Sequence, residues 1–156
     1  MEIRLERITA LPAGFEALRV EARADGHRML DTLAADWATG ANRFDRPDEA
    51  LLAAYADEIL AAIGGLTQEP VNPEALRMRR FYVGLAYRRL GIGRALATAL
   101  LQLATSPTIT VNAAAGSEAF WEALGFVPDR RDGHTHVCAR AGSSRTESLL
   151  NPLGGT

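Results

Sequence analysis

Residues 2–8 alternate apolar and charged side chains, with Ile3 and Leu5 on one face, the period of two that a half-solvated strand requires. Pro12-Ala13-Gly14 ends that pattern, and the spacing then changes to three and four residues. Phe15, Leu18 and Ala22 fall on one helical stripe, and Leu30, Leu33 and Trp37 on a second, so two helices are predicted either side of Gly26. Gly40 is the expected stop of the second helix. Two apolar runs, 51–55 and 59–66, flank Ala56-Asp57-Glu58 and read as a hairpin. Pro70 and Pro73 delimit a loop before a strand over 76–83, and a helix over 94–104 carries Leu96, Leu100 and Leu103 on one stripe. A short strand over 109–112, a short helix over 117–124 stopped by Gly125, and a last strand around 134–139 complete the order.

Strand, two helices, three strands, helix, strand, helix and one or two further strands make a mixed α/β fold. The segment 76–112 is a βαβ unit whose strands would lie parallel. A chain of 156 residues, 47% hydrophobic, has apolar material for one core, and the expectation is one domain over 1–141. Ser, Thr, Gly and Pro dominate beyond it, so 142–156 reads as a mobile tail.

Charge and composition narrow the function. Seventeen basic against 19 acidic residues leave a net charge of -2, no broad field for nucleic acid. The apolar stretches fall short of the roughly 20 residues of a membrane span. The N-terminus lacks the basic-then-apolar order of a secretory signal, and the lone Cys138 has no partner for a disulfide, so the cytoplasm is the expected compartment. All 17 basic residues are Arg; without a lysine the chain has neither a Walker phosphate loop nor a Schiff-base amine, and it cannot acetylate its own lysine side chains.

Candidate chemistry gathers where the 76–83 strand meets the long helix. In Tyr87-Arg88-Arg89-Leu90-Gly91-Ile92-Gly93-Arg94, two glycines one residue apart let the backbone approach a ligand. The first amides of the helix lack intrahelical acceptors and, with the helix dipole, form a site for an anion such as pyrophosphate. Arg88, Arg89 and Arg94 would add positive charge there. The competing reading is a tight strand-to-helix connection with solvated arginines. A dinucleotide site is weaker, because the third glycine of that fingerprint is Leu96.

Arg88-Arg89-Leu90-Gly91-Ile92-Gly93 resembles the Arg/Gln-x-x-Gly-x-Gly/Ala signature of the GNAT superfamily of acetyltransferases, and it follows Arg80-Phe81-Tyr82-Val83, the strand expected before it. Val111-Asn112-Ala113 through Phe120-Trp121-Glu122-Ala123-Leu124-Gly125-Phe126 is similar to the family's later strand and helix, at the family's spacing. The resemblance is specific over 76–126 and looser elsewhere. It implies a central sheet of six or seven strands, splayed at the cofactor site and flanked by about four helices. It also implies that acetyl-CoA is the acetyl donor, with no metal. Its pantetheine arm would lie along Phe81, Tyr82 and Val83, its pyrophosphate on Arg88, Arg89, Leu90, Gly91, Ile92, Gly93 and Arg94, and its thioester near Asn112 and Trp121. A backbone N–H near Tyr82 or Val83 would polarise the acetyl carbonyl.

An alkylammonium has a pKa near 10, so transfer to nitrogen needs a base. Glu69 and Glu74, before the signature strand, and His136, with His134 beside it in the closing strand, are candidates. The alternatives are solvated loop acids and ordinary packing histidines. The family's thiolate-protonating tyrosine is replaced by Trp121, whose indole N–H is no practical general acid. By the same resemblance Trp37, Asn42, Arg43 and Phe44 would line the acceptor site, against a packing role for the two aromatics. The expected activity is N-acetylation of a small-molecule or protein amine by direct attack in a ternary complex. The alternative is a non-catalytic acetyl-CoA sensor or regulatory module. Neither nucleic acid nor membrane is an expected partner, and a homodimer fits the habit of the family.

Overall fold

The computed structural model describes residues 1–131 and 133–140; the tail expected over 142–156 lies outside the described residues. Seven strands take the order β1-β2-β3-β4-β5-β7-β6 in an open mixed sheet, accompanied by four α-helices among the described residues. Two compact units are distinguishable, Met1–Thr67 with Met78–Leu103, and Gln68–Arg77 with the chain from Ala104 onward.

In the first unit, β1 (Ile3–Arg7) pairs antiparallel with β2 (Ala50–Ala56), Ile3 opposite Ala56 and Arg7 opposite Leu52. β1 is exposed along its whole length and carries Arg4, Glu6 and Arg7, charges that discourage another chain from adding to the edge. The β2 hairpin partner is β3 (Ile59–Gln68), joined through Asp57 and Glu58, both left-handed at φ 47 and 69. Two successive positive φ values give a turn whose twist matches that of the flanking strands. Asp57 Oδ1 also accepts the Glu2 N–H at 2.9 Å, which ties the turn to β1. β2 and β3 do not alternate: nearly every residue is buried, because helices cover both faces.

α1 (Phe15–Ala24) and α2 (Met29–Thr39) send Phe15, Leu18, Ala22, Leu30 and Leu33 onto Leu51, Ala53, Leu60, Ile63 and Tyr82. α1 ends in a Schellman arrangement: His27 N–H donates to Ala22 O, Gly26 N–H donates to Arg23 O, and Gly26 is left-handed at φ 86. Asp31, in the first turn of α2, accepts from both Arg19 and Arg23 of α1, which lowers its pKa to about 2, the Arg23 hydrogen bond contributing most. α2 stops at left-handed Gly40, as its sequence predicts. β4 (Leu76–Val83) follows β3 in the sheet, and α3 (Ile92–Leu103) buries Ile92, Gly93, Leu96, Ala97 and Leu100 and packs on β2. α3 begins two residues earlier than its periodicity suggests, so Gly93 lies inside the first turn and only Gly91 precedes the helix.

In the second unit β5 (Thr108–Val111) pairs antiparallel with β7 (His134–Ala139), which pairs antiparallel with β6 (Val127–Arg131). α4 (Glu118–Ala123) buries Trp121, whose ring meets Phe120 and Phe126 edge-on at centroid distances of 4.9 and 5.4 Å.

Candidate functional site

β4 is not a uniform strand. Arg80 has φ 56, a left-handed residue that interrupts the pleat immediately before Phe81, Tyr82 and Val83. The strand continues through Val83, and beyond it the Gly84 N–H donates to Ala61 O at 2.8 Å. A Cβ on Gly84 would lie 3.2 Å from that carbonyl and 3.4 Å from Leu18, so a larger residue would push the strand end off α1. One turn of 3₁₀ helix (Leu85–Tyr87) then leads into Arg88, left-handed Arg89 (φ 64), Leu90, left-handed Gly91 (φ 85) and α3.

The strand end is braced by two acids that sequence reading passed over, Glu21 on α1 and Asp25 at its C-terminal cap. Glu21 Oε2 accepts the Tyr82 hydroxyl at 2.8 Å and the Leu85 N–H at 2.8 Å. Burial first, and then this carboxylate, push the Tyr82 pKa up, so the phenol remains a donor. Arg88 donates from Nε to Val83 O at 2.9 Å and from Nη2 to Asp25 Oδ2 at 2.9 Å, with its guanidinium 5.2 Å from the Tyr82 ring centroid. Asp25 and Glu21 are four residues apart on one side of α1, spacing that a surface acid pair also shows, and neither carries a motif.

Arg88 is thus committed to strand and helix. Arg89 and Arg94 are exposed and have no ion-pair partner among the described residues. The first backbone bond of α3 is Ala95 N–H to Gly91 O, so the amides of Ile92, Gly93 and Arg94 precede any helical acceptor. A Cβ built on Gly91 meets nothing within 4 Å. The turn therefore offers open space, a helix N-terminus and two uncommitted guanidinium groups, a combination that suits a phosphate group. Leu90 is exposed and Ile92 fully buried. Phe81 is half-buried, and a Cβ on Gly64 would stand 2.6 Å from its ring.

The four residues expected near the acceptor are held by local contacts. Phe44 is core, left-handed at φ 55, its N–H bonded to Asn42 Oδ1 at 3.0 Å, its ring 2.5 Å from where a Gly65 Cβ would stand. Trp37 packs half-buried against the same core, and Arg43 donates from Nε to Trp37 O at 2.9 Å.

In the second unit Glu69 is buried, 3% exposed, and therefore is not a solvated loop acid. Its carboxylate accepts from Arg77 Nε and Nη2 at 2.9 and 3.0 Å, from the Thr110 hydroxyl at 2.7 Å and from Val71 N–H at 2.9 Å. Burial raises its pKa, but the Val71, Thr110 and Arg77 bonds outweigh it and hold the group below the usual carboxylate value. Glu74 is exposed, its N–H bonded to Asn72 Oδ1. His136 is fully buried, with Nε2 2.9 Å from Glu122 Oε2 and Nδ1 2.7 Å from Thr135 Oγ1. A carboxylate only accepts, so the His136 Nε2–H donates to Glu122. His134 Nε2 faces Asp129 at 3.1 Å. Asn112 is exposed just past β5, and Trp121 is buried in its aromatic cluster. Among the described residues no group of three or more His, Cys, Asp or Glu is placed to hold a metal ion, and no helix is long and apolar enough to cross a membrane.

Comparison with solved structures places this architecture among acetyltransferases. A protein of Exiguobacterium sp. 255-15 assigned as an acetyltransferase superposes with a TM-score of 0.83 at 20% identity, over 94% of this chain and 99% of its own. An acetyltransferase from Streptococcus agalactiae 2603 gives 0.69 at 14% identity, over 88% and 98%. The PaiA N-acetyltransferase from Thermoplasma acidophilum, solved in complex with coenzyme A, gives 0.57 at 15% identity, over 88% and 97%. No curated protein matches the chain. The sequence profile of the acetyltransferase (GNAT) domain matches residues 21–138, from Glu21 on α1 through the Gly91 turn to Cys138 on β7. With the match spanning most of its length and the fold agreeing, the chain belongs to the GNAT family of acetyltransferases.

Proposed function

We propose that the protein transfers the acetyl group of acetyl-CoA to the nitrogen of an amine, in a ternary complex without an acyl-enzyme. The observation that carries this reading is the turn before α3: left-handed Gly91 facing open space, three helix amides without helical acceptors, and Arg89 and Arg94 without ion-pair partners among the described residues. The pyrophosphate of acetyl-CoA takes those donors. The relative from Thermoplasma, which is an N-acetyltransferase and holds coenzyme A, supports both the donor and the nitrogen acceptor. In the transfer the amine lone pair attacks the thioester carbonyl and the carbon–sulfur bond breaks. The amine gives up one proton and the departing thiolate takes one. A thiolate with a pKa of about 8.5 is a tolerable leaving group near neutral pH, so Trp121 in place of an acidic hydroxyl does not bar the reaction. Cys138 is unsuited to carry the acetyl group, since it is buried and burial raises its thiol pKa.

Gly91→Val tests the turn. The side chain meets nothing in the fold, so it costs about 1–2 kcal/mol of backbone strain while standing where the ligand would lie. Calorimetry is expected to show acetyl-CoA bound at least about tenfold more weakly than by the parent. Equal affinity in a folded variant would put the site elsewhere. Release of free CoA with a panel of amines tests catalysis; binding without turnover would favour a sensor.

A further inference from the structure

Two of the three arginines of β4, Arg77 and Arg80, have side chains largely removed from water, and their surroundings differ. Arg77 is saturated by the two oxygens of Glu69. Arg80, with its side chain 15% exposed, is nearly bare. Its only side-chain hydrogen bond or ion pair among the described residues is Nη2 to Asp36 Oδ2 on α2 at 3.5 Å, the outer limit of a hydrogen bond. Its Nε is buried with no acceptor, and Nη1 bonds to none of the described residues. Asp36 has spare capacity as well: its side chain is 27% exposed and Oδ1 has no hydrogen-bond partner among the described residues. A buried donor left unmet, as Nε is here, is costly, and such a group in a native fold calls for an explanation such as a ligand or a functional role. The left-handed backbone at Arg80 is a second cost at the same residue, directly before the segment Phe81 to Val83.

We infer that the acceptor is an amino-acid-like zwitterion, its carboxylate taken by Arg80 and its ammonium by Asp36. This inference rests on the N-acetyltransferase reading above and names its acceptor class. An α-amino acid bears both charges on one carbon, so it can address two side chains that already stand 3.5 Å apart. The loose pair between them is exchanged for two better ones. A fork-shaped guanidinium fits a carboxylate through two parallel bonds, one from Nη1 and one from Nη2 once it turns from its 3.5 Å contact with Asp36. A polyamine, by contrast, would bring a second cation to Arg80, and a hydrophobic amine would leave the guanidinium unmet.

The experiment measures CoA release by the parent at saturating acetyl-CoA, using each common α-amino acid beside its decarboxylated amine. At least one amino acid is expected to exceed its decarboxylated partner by about 10- to 100-fold in kcat/KM, the value of a charge-assisted bidentate contact. Arg80→Gln should compress that ratio by a similar factor, mainly through a higher KM for the amino acid, and Arg80→Lys should fall between. Calorimetric binding of acetyl-CoA reports whether each variant is folded, and the substrate comparison on the parent needs no variant. Decarboxylated amines accepted as well as or better than their amino acids would overturn the inference and leave the N-acetyltransferase reading standing. Tight acetyl-CoA binding with no turnover of any amine, carboxylate-free or not, would remove that reading and the inference with it.

Discussion

Glu69 uses both carboxylate oxygens against four donors, which makes it an acid-sensitive fastener of the second unit. Its pKa in the fold lies below the ordinary 4.5, so its contribution is fully present above about that pH and is lost as pH falls through the lower, folded value. Glu69→Gln leaves Arg77 buried without a counter-charge and should destabilise by about 3 kcal/mol near neutral pH. The gap between parent and variant should narrow as urea titrations move below pH of about 4.5; a gap that stays constant would show that the carboxylate is not depressed. Cys138 lies within the same unit, and its raised thiol predicts slow alkylation by iodoacetamide until the fold is opened with urea. Sequence could not reveal either environment. The side-chain partners of Glu69, Arg77 and Thr110, lie eight and 41 residues away, and its near neighbours in sequence do not distinguish it from the exposed Glu74.

At the level of elements, the helices and the hairpin were legible because burial repeats with their own periods: Phe15, Leu18 and Ala22 on α1, and Leu96 and Leu100 on α3. β6 was not, since Val-Pro-Asp-Arg-Arg is mostly exposed and is held by backbone pairing to β7 instead of by an apolar face. The tight turn before α3 was readable from Gly91, yet the direction of Arg88 was not, because its partner Asp25 is 63 positions earlier. Two glycines separate backbone need from packing need. Gly26 is left-handed with nothing within 4 Å of its Cβ position, so Gly26→Ala should cost about 1 kcal/mol. Gly65 has an ordinary φ, but a Cβ there would lie 2.5 Å from the Phe44 ring and 2.8 Å from Ala50 O. Gly65→Ala should therefore cost more, about 1–3 kcal/mol from overpacking. Chemical denaturation of the two variants checks the order, and a Gly26 variant weaker than the Gly65 variant would reverse the assignment.

For the whole molecule, the fold is shared with acetyltransferases at 20% identity or less, so what is retained is a pattern of burial and turns and not a set of side chains. A donor that binds only the native state must raise its stability, and acetyl-CoA at 100 times its dissociation constant is worth about 2.7 kcal/mol. For a chain of this length that is a rise in Tm of about 5–10 °C, readable by scanning fluorimetry, and no rise would mean that the native chain does not take the donor. The tether from Glu21 and Asp25 to Tyr82, Leu85 and Arg88 bears on how this scaffold could be recombined. The helical pair α1–α2 is not an exchangeable cassette. A chimaera that imports residues 15–39 from another member of the family, in order to import its choice of acceptor, would unhook the end of β4 unless acids were restored at positions 21 and 25.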